Sequence, residues 1–427
     1  MKATLQQRLK VTGWTIPLTY AAGALSVGIT FPRLEQSWLP HLVSSMSAPA
    51  AIGVSSSIAS GMIALTGIVF SLTFVMVQFS ATAYSPRLVL WIARDPVMSH
   101  ALGVFTATFL YALALLAWVD RGASGRVPLI SLWVVFALLL ASVGMFIALI
   151  ERIGALQVNR MLIFTGDQGR RAIHELYPSK GSTGCQAEDS EFCHLPITQT
   201  LIHAGRPQVI QAIQIPALLE LAATNGAVVE VMAAPGDTVV ELMPLLRVMG
   251  ARQPIAEAAL KNAVKIGDER TFDQDPKYAL RLVVDIAIKA LSPAINDPTS
   301  AVQALDQIED LLLRLGLRHL EIGAYRDGNG SLRLIMPFPS WDDFLRLALD
   351  EIRSYGASSV QVMRRMMALI KNLTAVLPPE RRAALEHWER RLEGSIARSF
   401  GDVYEKRDAS VADRQGLGTG EEKLPAS

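Results

Sequence analysis

Four long apolar segments constrain this chain more than any other feature: Trp14–Phe31, Ser55–Phe79, Ala101–Val119 and Pro128–Ile150, none with an Asp, Glu, Lys or Arg in its interior. Each is close to the roughly 20 residues that a helix needs to cross a hydrocarbon core. The composition agrees, at 51% hydrophobic and 19% charged over 427 residues, where a soluble protein carries about 25% charge. The expected fold is therefore a membrane α-helical region of four transmembrane helices, followed by an α+β region in water. The first segment follows Lys2, Arg8 and Lys10, as a signal peptide would. Its apolar run is long for one, and Phe31-Pro32-Arg33-Leu34-Glu35 is a poor cleavage site, so a retained anchor is expected.

Lys and Arg near the span ends set the orientation. Nine lie on one side (Lys2, Arg8, Lys10, Arg87, Arg94, Arg152, Arg160, Arg170 and Arg171) and three on the other (Arg33, Arg121 and Arg126). That predicts a multi-pass protein of a bacterial inner membrane with both termini cytoplasmic. Cys185 and Cys193 then sit in a reducing compartment and form no disulfide. A net charge of +1 gives no reason to expect nucleic acid.

The second segment carries a stripe of small and weakly polar residues. At helical spacing Gly53, Ser57, Ser60, Ala64, Gly67, Ser71 and Gln78 fall on one face. Such a stripe lets another backbone approach closely, and it could also line a narrow aqueous path. Between the second and third segments, Tyr84–Gly103 reads as a short helix at headgroup depth with Trp91 as its anchor.

The rest divides by composition into a connecting helix and polar loop over 153–194, a small β-rich module over 195–252, an α+β domain over 253–400 and a disordered tail over 401–427. Cys185, Cys193, His194 and His174 match no zinc spacing; no metal or cofactor is expected. In the β-rich stretch, "QVIQAI", "AVVEVMAAPGDTVV" and "LLRVMG" read as strands, with Pro235-Gly236-Asp237 as the tightest turn. Ala256–Leu315 reads as helical, His319–Phe338 as a hairpin closed by Asp327-Gly328-Asn329-Gly330, and Trp341–Ser399 as two or three helices.

"ALSPAINDPTSAVQALD" (Ala290–Asp306) breaks a helix with two prolines. Pro293 stops one helix, while Asp297 as N-cap with Pro298 at the first position starts the next. Ser292 and Asn296 are not required by that account. If this corner folds back on "GDERTFDQDP", then Glu269, Arg270, Asp275, Ser292, Asn296 and Asp297 would form one polar cluster. A rigid structural network and an acid–base site are both compatible with it. Nucleophile elbow, P-loop, dinucleotide and HExxH motifs do not occur.

"QFSATAYSPRLV", "LGVFTATFLYAL", "APGDTVVELMPLLRV" and "KIGDERTFDQDPKYALRLVVDIAIKALSPAINDPTSAVQALD" together resemble a family of bacterial membrane proteins, domain of unknown function 2254, over about Arg8 to Leu377. The resemblance implies an integral membrane protein with a cytoplasmic C-terminal part and brings no established activity or ligand. Pro207, Gln208 and Gln214 stand where the family pattern implies Gly-Tyr and an Asp, and Leu242 where it implies a turn glycine. Three functions fit: a homo-oligomeric channel or transporter gated by its cytoplasmic part, a membrane-anchored scaffold or ligand sensor, and an enzyme using Glu269, Asp275 and Asn296.

Overall fold

A computed structural model of the chain describes residues 15–39, 41, 44–83, 96–121, 127–154, 158–178 and 195–418. The chain forms two compact units, Met1–Gln157 and Val158–Ser427.

The first unit contains α1 (Thr15–Trp38), α2 (Ala48–Ala83), α3 (Pro96–Arg121) and α4 (Leu129–Gly154). Among the described residues three stretches are long and apolar enough to cross a membrane: Ala48–Val75, Pro96–Asp120 and Leu129–Glu151. The first expected span is a helix but falls short of that apolarity, because Pro17, Thr15, Thr19, Tyr20 and Ser26 dilute its apolar residues. It also continues past Phe31, through Pro32, to Trp38. Pro96–Gly103 is the first part of α3 and not a separate interfacial helix; Tyr84–Asp95, with Trp91, lies outside the described residues.

α3 is the hub and packs on the other three helices. Its Ala101, Phe105, Tyr111, Ala112 and Leu115 are buried against Ala51, Ala59 and Met62 of α2 and Leu132, Val135 and Leu149 of α4. Thr108 and Ser142 lie 2.8 Å apart across α3 and α4, so that one hydroxyl donates to the other, which in turn donates to its own helix at Val104 O or Leu138 O. In a bilayer no water would otherwise complete those bonds.

The second unit begins with α5 (Val158–Leu176), and residues 179–194, with Cys185, Cys193 and His194, lie outside the described residues. Two sheets share one apolar core. The larger has strands β1 (Ile197–Ile202), β3 (Val228–Val231), β5 (Pro244–Met249), β7 (Ala324–Arg326) and β8 (Leu332–Ile335), in the order β1-β5-β3-β8-β7. The smaller has β2 (Gln208–Ile213), β4 (Thr238–Val239) and β6 (Val264–Gly267), in the order β4-β2-β6. All pairings are antiparallel except β3 with β8.

The sheets therefore cross the boundary expected at residue 252. The β7–β8 hairpin, closed at Asp327 as expected, adds to β3, and β6 pairs with β2 inside the stretch read as helical. A strand of four residues, Val-Lys-Ile-Gly, is too short to show a period of its own.

Around the sheets lie α6 (Ile215–Thr224), α7 (Glu257–Ala263), α8 (Pro276–Ala290), α9 (Pro298–Gly316), α10 (Trp341–Tyr355), α11 (Val360–Val376) and α12 (Pro379–Ser399). Of the apolar residues that repeat at helical spacing, Leu280, Val284 and Ala287 of α8 and Ala301, Leu305, Ile308, Leu312 and Leu315 of α9 are buried, while Leu291, just past the end of α8, is half-buried. Met363, Met366 and Met367 of α11 are core, not groove. The tail is not wholly irregular. Asp402 caps α13 (Val403–Ser410), Ala409 is buried, and Asp413 accepts from the Gln415 and Gly418 amides. Local capping and one buried methyl order a stretch whose polar composition reads as disorder.

Candidate functional site

The stripe of α2 faces away from the other described residues of its unit. Ala51, Ser55, Ala59, Met62 and Val69 on one side of the helix are buried, while Gly53, Ser57, Ser60, Ala64, Gly67, Ser71 and Gln78 are exposed. A methyl added at Gly53 or Gly67 would meet nothing within 4 Å. Ser57 donates to Gly53 O, 2.8 Å away, so this hydroxyl is satisfied within its own helix.

The polar cluster does not form as one site. α8 has 15 residues, about 22 Å at 1.5 Å per residue. Arg270 and Asp275 lie at its start, and Ser292, Asn296 and Asp297 at its end. Glu269 is exposed, and its carbonyl accepts from Gln211 Nε2 at 2.8 Å.

At the start, Asp275 is 1% exposed. It caps α8 by accepting from Tyr278 N at 3.1 Å, and its other oxygen accepts from Arg270 Nε at 2.8 Å and Nη2 at 2.5 Å. The guanidinium also lies 5.0 Å from the Tyr278 ring centroid. Against this pair sits Gly236, with φ +91°, so close that a Cβ would overlap the Asp275 carboxylate. Lys277 pairs with Asp237 at 3.4 Å. Burial pushes the Asp275 carboxyl up, opposed by the Arg270 charge. Both carboxylate oxygens are occupied and water is excluded. The group is a clamp between the Pro235-Gly236-Asp237 turn and α8, without the access a general base needs.

At the other end each side chain has a local task. Asp297 accepts from Ser300 N at 3.1 Å and from its hydroxyl at 2.5 Å. Ser292 Oγ donates to Lys289 O, and the Ser292 carbonyl accepts from the Ile295 and Asn296 amides. Asn296 has φ +48°, a left-handed conformation that Asn tolerates better than most residues. The corner closes with Asp297 N donating to Ala290 O at 2.8 Å.

Two groups escaped the reading of the sequence. Gly236 shows only as part of a turn signal, since its contact with Asp275 is long-range. Glu35 lies beyond the expected end of the first span, yet is 4% exposed. It accepts from Ile130 N at 2.6 Å, Ser131 N at 2.9 Å and Ser131 Oγ at 2.6 Å. A carboxylate from α1 thus caps the first turn of α4, where the helix dipole favours negative charge. Tyr111, also buried, lies nearby on α3. Among the described residues no group of His, Cys, Asp and Glu is arranged to hold a metal.

Comparison with known proteins agrees with a membrane chain of this design. Uncharacterized proteins of Mycobacterium bovis and of two strains of Mycobacterium tuberculosis are 26% identical to it over 403 residues, covering 91% of this chain and 77% of each relative. No solved structure matches. The profile of the family described as predicted membrane protein, domain of unknown function 2254, matches residues 10–372, and the chain belongs to that family.

Proposed function

We propose that this protein is a homo-oligomeric, channel- or transporter-like protein of the bacterial inner membrane, with its C-terminal unit in the cytoplasm gating passage. The observation that carries this reading is the exposed small-residue face of α2. Packed side chains of α2, α3 and α4 fill the interior of one copy, so a path would lie between copies, along Ser57, Ser60 and Ser71. Close approach of small-residue faces is a common way for membrane helices to associate.

A four-span topology is part of the proposal. α1 runs parallel to α3: Tyr20 lies beside His100 and Gly103, and Gly28 beside Tyr111 and Ala114. Beyond that contact Glu35 reaches the start of α4. A helix that follows a spanning neighbour over this length shares its depth in the bilayer, and the excess of basic residues then places both termini in the cytoplasm.

Flux or conductance in proteoliposomes tests the reading. Ser60→Leu and Ser71→Leu should each reduce a measured conductance severalfold; an unchanged conductance removes α2 from the path.

Leu242 favours a second reading, a membrane-anchored scaffold or sensor. It is 77% exposed and held at φ +66°, beside exposed Val240. An exposed apolar side chain in a strained conformation suits a docking point. Thermal-shift screening of the full-length protein with cytosolic metabolites, and binding assays with Leu242→Gly, test that reading; no ligand and no effect of Leu242→Gly would remove it.

A further inference from the structure

On the first unit, α1 and α3 enclose a groove of about 540 Å³. Small residues make its floor. Gly28 comes so near α3 that an added Cβ would lie 2.7 Å from Ala114 Cβ. Ile29 and Leu113, both partly exposed, border the floor. From Leu25 to Arg33 the groove follows α1 for about 12 Å, enough for part of one acyl chain. Arg33 lies at its end on α1, and Trp118 lies at its end on α3. The two helices run parallel, so these mark the same end of the groove. Arg33 is exposed and makes no hydrogen bond or ion pair among the described residues.

An unpaired guanidinium at the mouth of an apolar trough in a bilayer is costly unless an anion meets it. Its planar fork of donors matches a phosphate. Tryptophan favours the level at which headgroup and acyl chain join. We propose that the groove holds one anionic phospholipid of the phosphatidylglycerol type, from the leaflet at the C-terminal end of α3. One acyl chain lies on the Gly28–Ala114 floor, the phosphate accepts from Arg33, and Trp118 borders the glycerol. The shape selects a chain and the charge selects the headgroup. This site rests on α3 crossing the bilayer and not on a path along α2, so a negative conductance result leaves it standing.

The test uses the full-length protein in nanodiscs of equal phosphatidylglycerol and phosphatidylcholine, with retained lipid read by native mass spectrometry. The wild type should keep one phosphatidylglycerol per subunit with about tenfold preference, because Arg33 meets a phosphate whose charge no choline balances. Arg33→Gln should bring that preference near unity, and Arg33→Lys should keep part of it. Ala117→Trp, at an exposed position bordering the groove, should lower retention of both lipids and reads the groove independently of the charge. Millimolar glycerol phosphate should displace nothing. No preference in the wild type, an unchanged preference in folded Arg33→Gln, or displacement by glycerol phosphate would overturn the proposal.

Discussion

Glycines in α2 and α5 have opposite surroundings. In α5, Gly169 lets the helix settle onto its neighbours: a methyl there would lie 2.9 Å from Leu311 Cδ2 and 3.0 Å from Ala279 Cβ. In α2, Gly53, Gly61 and Gly67 face open space. Glycine inside a helix costs about 1 kcal/mol relative to alanine. Close packing offsets that cost in α5, within one chain. In α2 none of the described residues of the unit offsets it, and the small-residue face there lies open.

The largest test of this contrast is Gly236→Val. The side chain would occupy the position of the Asp275 carboxylate, at a φ of +91° that valine resists. Parting Asp275 from Arg270 leaves a buried charge uncompensated, which costs about 3–5 kcal/mol. Thermal unfolding of the full-length protein in detergent should show a loss of that order, with faster hydrogen exchange in the first turn of α8. Gly169→Leu comes next. It forces α5 from α8 and α9, an overpacking penalty of about 1–3 kcal/mol, read by the same melt. Normal stability in either variant would mean that these contacts are looser than the distances imply.

These two positions also show what a sequence can reveal. Periodicity alone exposed α8, α9 and the hairpin, because Leu280, Val284, Leu305 and Ile308 repeat at helical spacing and Asp327-Gly328 closes two strands. Strands β1 and β6 stayed hidden: they are short, and their partners lie about 50 residues away in the chain. The six polar residues suggested one cluster only because nothing in the sequence told how the corner turns. The length of α8 separates them. Glu35 was missed for a related reason, since it lies past the end of the apolar run and its three donors belong to α4.

Gly67→Leu is the counterpart of Gly169→Leu in the membrane unit. With open space around it, the leucine should not destabilise the subunit and should gain up to the roughly 1 kcal/mol that glycine costs inside a helix. Size-exclusion and crosslinking in detergent should instead show dissociation of the oligomer, if the face of α2 joins copies. A drop in subunit stability comparable to that of Gly169→Leu would erase the distinction between the two helices.

The smallest effect concerns how the C-terminal unit fastens its helices with charge. Arg281 of α8 bridges Asp285 on its own helix and Glu351 on α10, at 2.6 Å and 2.5 Å. The Arg281 hydrogen bond holds the Glu351 carboxyl below its usual range. The unfolded chain therefore binds a proton at Glu351 more readily than the folded one, and stability falls with acidification. The pair's contribution should be fully present above about pH 4.5 and should vanish as pH drops through the lowered value. Because Glu351 is 44% exposed, the contribution is a few tenths of a kcal/mol. Melts of wild type and Glu351→Gln should differ slightly at pH 7 and converge as the solution is acidified below the usual carboxylate range. A gap that does not narrow on acidification would mean that the glutamine disturbs packing between α8 and α10, not charge. The junction would then depend on shape, as the helices of the membrane unit do.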